Sequence, residues 1–122
     1  MNKETTVFIQ HILESIENIE TFSKNLSREE FTKNRLKQSA IIRELEIIGE
    51  AVKNIPLSFR KQHDKIKWSK LTGTRDKLIH HYFGIDLNLT FKIITSDLPQ
   101  LKEEIKRILE DINLKKESSE DK

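Results

Sequence analysis

No cysteine occurs among the 122 residues, which excludes disulfides, thiolate nucleophiles and cysteine-ligated zinc. Glycine is almost as scarce. Gly49, Gly73 and Gly84 are the three, too dispersed to form a glycine-rich phosphate loop. None of the four histidines has a glutamate three residues before it, so the Glu-x-x-His di-iron arrangement of helical bundles is absent. No metal site or cofactor is therefore expected. No apolar run approaches the length of a membrane span, and "MNKETTVFIQ" lacks the apolar centre of a secretory signal. The expectation is a soluble, cytoplasmic protein without membrane contact.

What is present is helical in character. Apolar residues make up 35% and charged residues 34% of the chain, with little valine or tyrosine to build strands. The length accommodates one domain. Phe8, Ile12, Ile16 and Ile19, with Ile9 and Leu13 alongside, recur at helical spacing and predict an amphipathic helix over residues 5 to 24. "SREEF" reads as a new start, with Ser27 and Glu30 forming a capping box. A long helix over 34 to 54 comes next, apolar on more than one side and therefore central or shared with a partner chain. Arg43, Glu46 and Glu50 form its polar stripe, and Gly49 lies where a neighbouring backbone could come close.

Pro56 ends that helix, and residues 57 to 67 hold a short helix and a basic connection. Residues 68 to 83 read as another helix, interrupted or bent near Gly73. "FGID" makes a turn, with Asp86 capping the next helix. Ile94, Leu98, Leu101, Ile105, Ile108 and Ile112 form a packing seam that Pro99 should kink or divide. The architecture expected is an all-α antiparallel bundle over residues 1–114, with the polar segment "KKESSEDK" (115–122) as a frayed tail.

The net charge of +2 says little, but its distribution says more. From Lys53 to Lys77 there are eight basic residues against two acidic ones, a plausible phosphate-backbone footprint. It leads into "RDKLIHHYF", residues 75 to 83, which holds two histidines, an arginine and the single tyrosine. Arginine binds phosphate through a fork of donors, and histidine titrates near neutrality. Together they suit metal-free cleavage of RNA, one imidazole taking the ribose 2′-OH proton and another acid protonating the leaving 5′ oxygen. Helix geometry complicates this. At about 100° per residue, Tyr82 lies within about 20° of Arg75, but His80 is roughly 140° away. Either the helix unwinds near His80 or two chains assemble the site. Asp76, at i−4, could orient His80 if the helix stays regular that far. Lys70, Lys77 and His81 are candidate RNA contacts.

Each residue also has a plainer explanation. Arg75 could pair with the carboxylates of the Arg43 stripe, the histidines could interact with a helix dipole, and Tyr82 and Phe83 could be core aromatics.

"RDKLIHHY" also fits Arg-x4-His-x-Tyr, and it resembles the signature of HEPN-domain proteins, specifically the HepT toxins of toxin–antitoxin pairs. "IIRELEIIGEAVKNIP" (41–56), "WSKLTGTRDKLIHHYFGIDL" (68–87) and "DLPQLKEEIKRIL" (97–109) follow the same family pattern in order. The resemblance implies a HEPN helical bundle that dimerises, with an RNA-cleaving cleft at the interface. Arg75 and His80 match the catalytic pair, and Asp76 the polar residue that commonly follows the arginine. Tyr82 matches the tyrosine that a cognate minimal nucleotidyltransferase antitoxin modifies with AMP. Bulk and negative charge added there would block RNA. His81 occupies the variable position.

The resemblance implies an endoribonuclease toxin, a homodimer whose RNA substrate could be a tRNA. Its chief rival is a non-catalytic nucleotide-binding or regulatory subunit of a nucleotidyltransferase complex. A histidine phosphotransfer bundle fits poorly, since Phe83 and Gly84 stand where a downstream lysine would be wanted.

Overall fold

A computed structural model describes the backbone of residues 3–80 and 84–120, and all of those side chains except Arg75, Ile79, His80 and residues 116–120. Three long helices dominate: α1 (Lys3–Ser23), α3 (Arg35–Lys53) and α8 (Leu98–Glu120). Shorter pieces join them: α2 (Arg28–Lys33), α4 (Leu57–Gln62), α5 (Trp68–Thr72), α6 (Thr74–Leu78) and α7 (Leu87–Lys92). A minimal antiparallel bridge pairs β1 (Ile79–His80) with β2 (Gly84–Ile85), Ile79 facing Ile85 and His80 facing Gly84. The fold is an all-α bundle. Among the described residues no helix is long and apolar enough to cross a membrane.

The core follows the helical periodicity. Ile9, Ile12, Ile16 and Ile19 of α1 are buried against Ile41, Leu45, Ile48 and Val52 of α3 and Leu98, Leu101, Ile105 and Ile108 of α8. Each fully buried isoleucine or leucine contributes roughly 1.5–3 kcal/mol, so this apolar stripe outweighs any single polar contact in the bundle. α3 is central, packing on α1, α2, α5 and α6, which accounts for its apolar residues on more than one side. Its polar stripe is an ion-pair stripe: Arg43 lies 3.8 Å from Glu46, and Lys53 lies 3.4 Å from Glu50.

The helix starts obey their caps. The Ser27 hydroxyl accepts from the Glu30 amide and the Glu30 carboxylate accepts from the Ser27 amide, closing the expected capping box. Asn34 caps α3 by accepting from Lys37 N–H at 3.0 Å. Gln38, buried one turn on, donates to the Phe31 and Thr32 carbonyls and ties the end of α2 to α3.

Pro99 divides the last segment as expected, by a particular device. Residues Ile93–Asp97 form a π-helical turn between α7 and α8, with the Leu98 amide donating to the Ile93 carbonyl. A proline two residues into α8 can neither donate to the preceding turn nor tolerate its carbonyl close by. The wider turn relieves that conflict. The seam from Ile94 to Ile108 faces this chain's own core. α8 runs on through Glu120, so the helix does not stop at residue 114, where the sequence suggests a polar tail begins.

Candidate active site

Trp68 opens the stretch that carries the candidate residues. Its indole sits in the core and Nε1 donates to two carbonyls, Arg60 at 3.1 Å and His63 at 3.0 Å. Those carbonyls belong to the end of α4, so one side chain closes α4 and starts α5. Gly73 then separates α5 from α6. The break has a definite cause on each side. The Thr74 hydroxyl, buried with its residue only 8% exposed, donates to the Leu71 carbonyl at 2.8 Å. That same carbonyl presses on α3 where Gly49 has no side chain: a Cβ there would lie 2.8 Å from Leu71 O. Gly49 is thus the close-approach point that its place in the helix pattern suggested.

Arg75 stands in α6 between two anchors, Thr74 on one side and Leu78 on the other, both buried. Asp76 and Lys77 of the same helix are exposed. The helix expected over residues 68 to 83 is interrupted at Gly73 as expected, but it does not run on to residue 83. α6 ends at Leu78, and the backbone of Ile79 and His80 is extended. Two physical reasons converge. The run from Ile79 to Phe83 is β-branched and aromatic, which disfavours helix. In addition, the Asp86 amide donates to the Leu78 carbonyl at 2.7 Å, and Gly84 takes the positive φ of 78° that turns the chain back. Asp86 then caps α7, accepting from the Leu89 amide at 3.0 Å as expected.

This break answers the geometric objection to pairing Arg75 with His80. The 140° separation holds only on one straight helix, and the two residues lie on different elements five positions apart. It also corrects one expectation. Asp76 cannot reach His80 through an i, i+4 helical register, because the helix stops two residues before His80. His81, Tyr82 and Phe83 lie outside the described residues. Lys70 and Lys77 are exposed and border a common groove with Lys65, Lys67 and Lys92. Two residues near the site are not singled out by the sequence: Thr74, tied to the Leu71 carbonyl, and Lys92, which borders the groove from α7.

The family model for HepT-like ribonucleases matches residues 12–108, which contain α2 to α7 whole, parts of α1 and α8, and the whole Arg75–Tyr82 motif. The chain belongs to the HepT-like ribonuclease family. Its class of activity is that of an endoribonuclease. A Methanocaldococcus jannaschii protein, named as a gamma-glutamylcyclotransferase and provisionally as an RNase, is 44% identical over 116 residues. That alignment takes in 95% of this chain but only 52% of the relative, so the chain spans about half that protein's length. A provisionally named RNase of Caldanaerobacter subterraneus subsp. tengcongensis is 42% identical, across 84% of this chain and 92% of its own. A Thermococcus cleftensis protein named "probable ribonuclease HepT" is 41% identical, across 88% and 98% respectively. No solved structure matches the chain.

Proposed function

We propose that this HepT-like chain is the toxin of a toxin–antitoxin pair, a homodimeric, metal-independent cytoplasmic endoribonuclease. In this reading Arg75 and His80 of two copies line one cleft. A His80 imidazole takes the 2′-OH proton, and the freed oxygen attacks the adjacent phosphorus. The bond to the 5′ oxygen breaks as a second acid, the His80 of the other copy, supplies its proton. The products are a 2′,3′-cyclic phosphate and a 5′-hydroxyl end. The arginines hold the phosphate while charge builds on its oxygens. The observation that carries this reading is the end of α6 at Leu78, which frees His80 from the helical phase of Arg75.

Regulation falls to Tyr82 in the same reading. A partner nucleotidyltransferase transfers AMP from ATP to the phenol oxygen, releasing pyrophosphate. The added phosphate then competes with RNA for the same arginine and bars the cleft.

The test is incubation of the partner-free chain with labelled total tRNA in EDTA, beside Arg75→Ala and His80→Ala. Intact mass establishes that Tyr82 is unmodified. Cleavage by the unsubstituted chain, reduced at least ~100-fold in His80→Ala, is the expected result. An unmodified dimer that leaves RNA intact would overturn it.

A further inference from the structure

The basic cluster of the sequence separates into two groups in three dimensions. Lys53 is engaged by Glu50 at 3.4 Å, and Arg60 Nε donates to the Ile55 carbonyl at 2.9 Å. Lys65, Lys67, Lys70 and Lys77 instead line one groove of about 690 Å³. Lys92 joins them from α7, brought there by the fold from fifteen residues beyond Lys77. All five are exposed, and among the described residues none of them forms an ion pair. Asp97, Glu103 and Glu104 also line the groove, from the π turn and α8. Glu104 is already engaged by Arg107 at 3.0 Å, so positive charge is in excess among the lining side chains.

Scattered lysines on a convex face would simply be solvated. Five around one groove, against three carboxylates, raise the local potential, which favours an anion. The apolar part of the lining is aliphatic, including Leu71, Leu89 and Ile93. Aliphatic contact gives no hydrogen-bond readout, so it accepts bases of any identity. The volume is that of a pocket for a drug-sized ligand, roughly 300–1,000 Å³, which fits a nucleotide or two of single strand and not a duplex. Thr74 and Lys77 both line the groove, so it borders the helix that carries Arg75.

We infer that this groove is the track for the single-stranded RNA beside the cleaved bond, its phosphates held by the lysines and its bases by the aliphatic lining. Lys65, Lys67 and Lys92 thereby become substrate-binding residues. The inference rests on the ribonuclease reading.

The experiment uses the full chain carrying His80→Ala, which holds RNA without turnover, and a short fluorescent single-stranded RNA. Lys67→Glu/Lys92→Glu is compared with Lys24→Glu/Lys106→Glu, an equal charge change at exposed sites outside the groove. The groove pair is expected to weaken binding roughly tenfold or more beyond the control pair. It should also flatten the salt dependence by about 1.4 in log–log slope, two phosphate contacts at about 0.7 each. Equal affinities and slopes in the two pairs would overturn the groove. If groove variants bind RNA normally but release a co-expressed nucleotidyltransferase, the groove belongs to a protein partner and the RNA track is likewise overturned. The functional reading has its own arm: without His80→Ala, the chain carrying the control pair must cleave RNA. Cleavage there with unaltered binding by the groove pair sinks the groove alone, whereas absence of cleavage and binding sinks both.

Discussion

Gly49 and Gly73 are glycines for different reasons, and alanine distinguishes them. At Gly49 a methyl group would meet the Leu71 carbonyl at 2.8 Å, a backbone atom that can yield only if α5 shifts. At Gly73 the nearest atom is the flexible end of Lys77 at 3.8 Å, an ordinary contact. Gly49→Ala should therefore cost about 1–3 kcal/mol in thermal or denaturant unfolding. Gly73→Ala should cost far less. Because Leu71 O also receives the Thr74 hydroxyl, the shift would reach the residue before Arg75. Cleavage by Gly49→Ala is accordingly expected to fall, even at a temperature where the variant is fully folded. An active, unshifted Gly49→Ala would show that α5 is free to move without consequence.

At the scale of elements, α1 and α8 meet through apolar seams, with a polar tie at Lys102. Lys102 Nζ lies 2.7 Å from Glu20 Oε1. That hydrogen bond holds the Lys102 ammonium above the ordinary lysine range, partly offset by burial and supported by the charges of Glu20, Glu17 and Glu103. A lysine raised in the folded state adds stability that is complete below its unfolded value of 10.5 and fades as pH rises through the folded value. Glu20 is 47% exposed, so solvent screening keeps the contribution under about 1 kcal/mol. Glu20→Gln should lower the melting temperature slightly at neutral pH and low salt. The difference should disappear in strongly alkaline buffer. A gap that persists there would mean that the carboxylate matters for some other contact. The Ser27 box offers a simpler case, since Ser27→Ala removes one reciprocal cap and should cost about 1 kcal/mol in thermal unfolding.

For the whole molecule the decisive quantity is the number of chains. One Arg75 and one His80 supply one phosphate clamp and one proton-transfer group, whereas the proposed cleavage needs a base and an acid at once. Sedimentation at micromolar concentration should therefore give a dimer. A monomer that still cleaves RNA would remove the two-chain cleft and require the second acid from elsewhere in the same chain. Mixing the unsubstituted chain with an excess of His80→Ala chains supplies the complementary check, because a mixed dimer holds one His80 imidazole where the cleavage needs two. Cleavage per unsubstituted chain is expected to fall as the excess grows, whereas an unchanged value would mean that each chain cleaves by itself.

Much of the fold was legible in the chain because local rules govern it. The spacing of Ile9, Ile12, Ile16 and Ile19 in α1, the seam from Ile94 to Ile108, the box at Ser27, the stop at Pro56 and the cap at Asp86 each depend on residues within a turn or two of one another. The motif from Arg75 to Tyr82 is legible for the same reason, since its spacing is a local property of the chain. Tertiary structure decided the rest. Helical phase set Arg75 and His80 apart, and the pairing of Ile79 with Ile85 and of Leu78 O with Asp86 N, added to the weak helix propensity of the run after Leu78, ends the helix between them. The close contact of Gly49 with Leu71 joins positions 22 residues apart, and the groove gathers Lys92 of α7 with lysines 15 to 27 positions before it. Periodicity reports which face of a segment is apolar. It carries no record of which distant backbone will approach that face, because that contact is chosen by the packing of the whole chain.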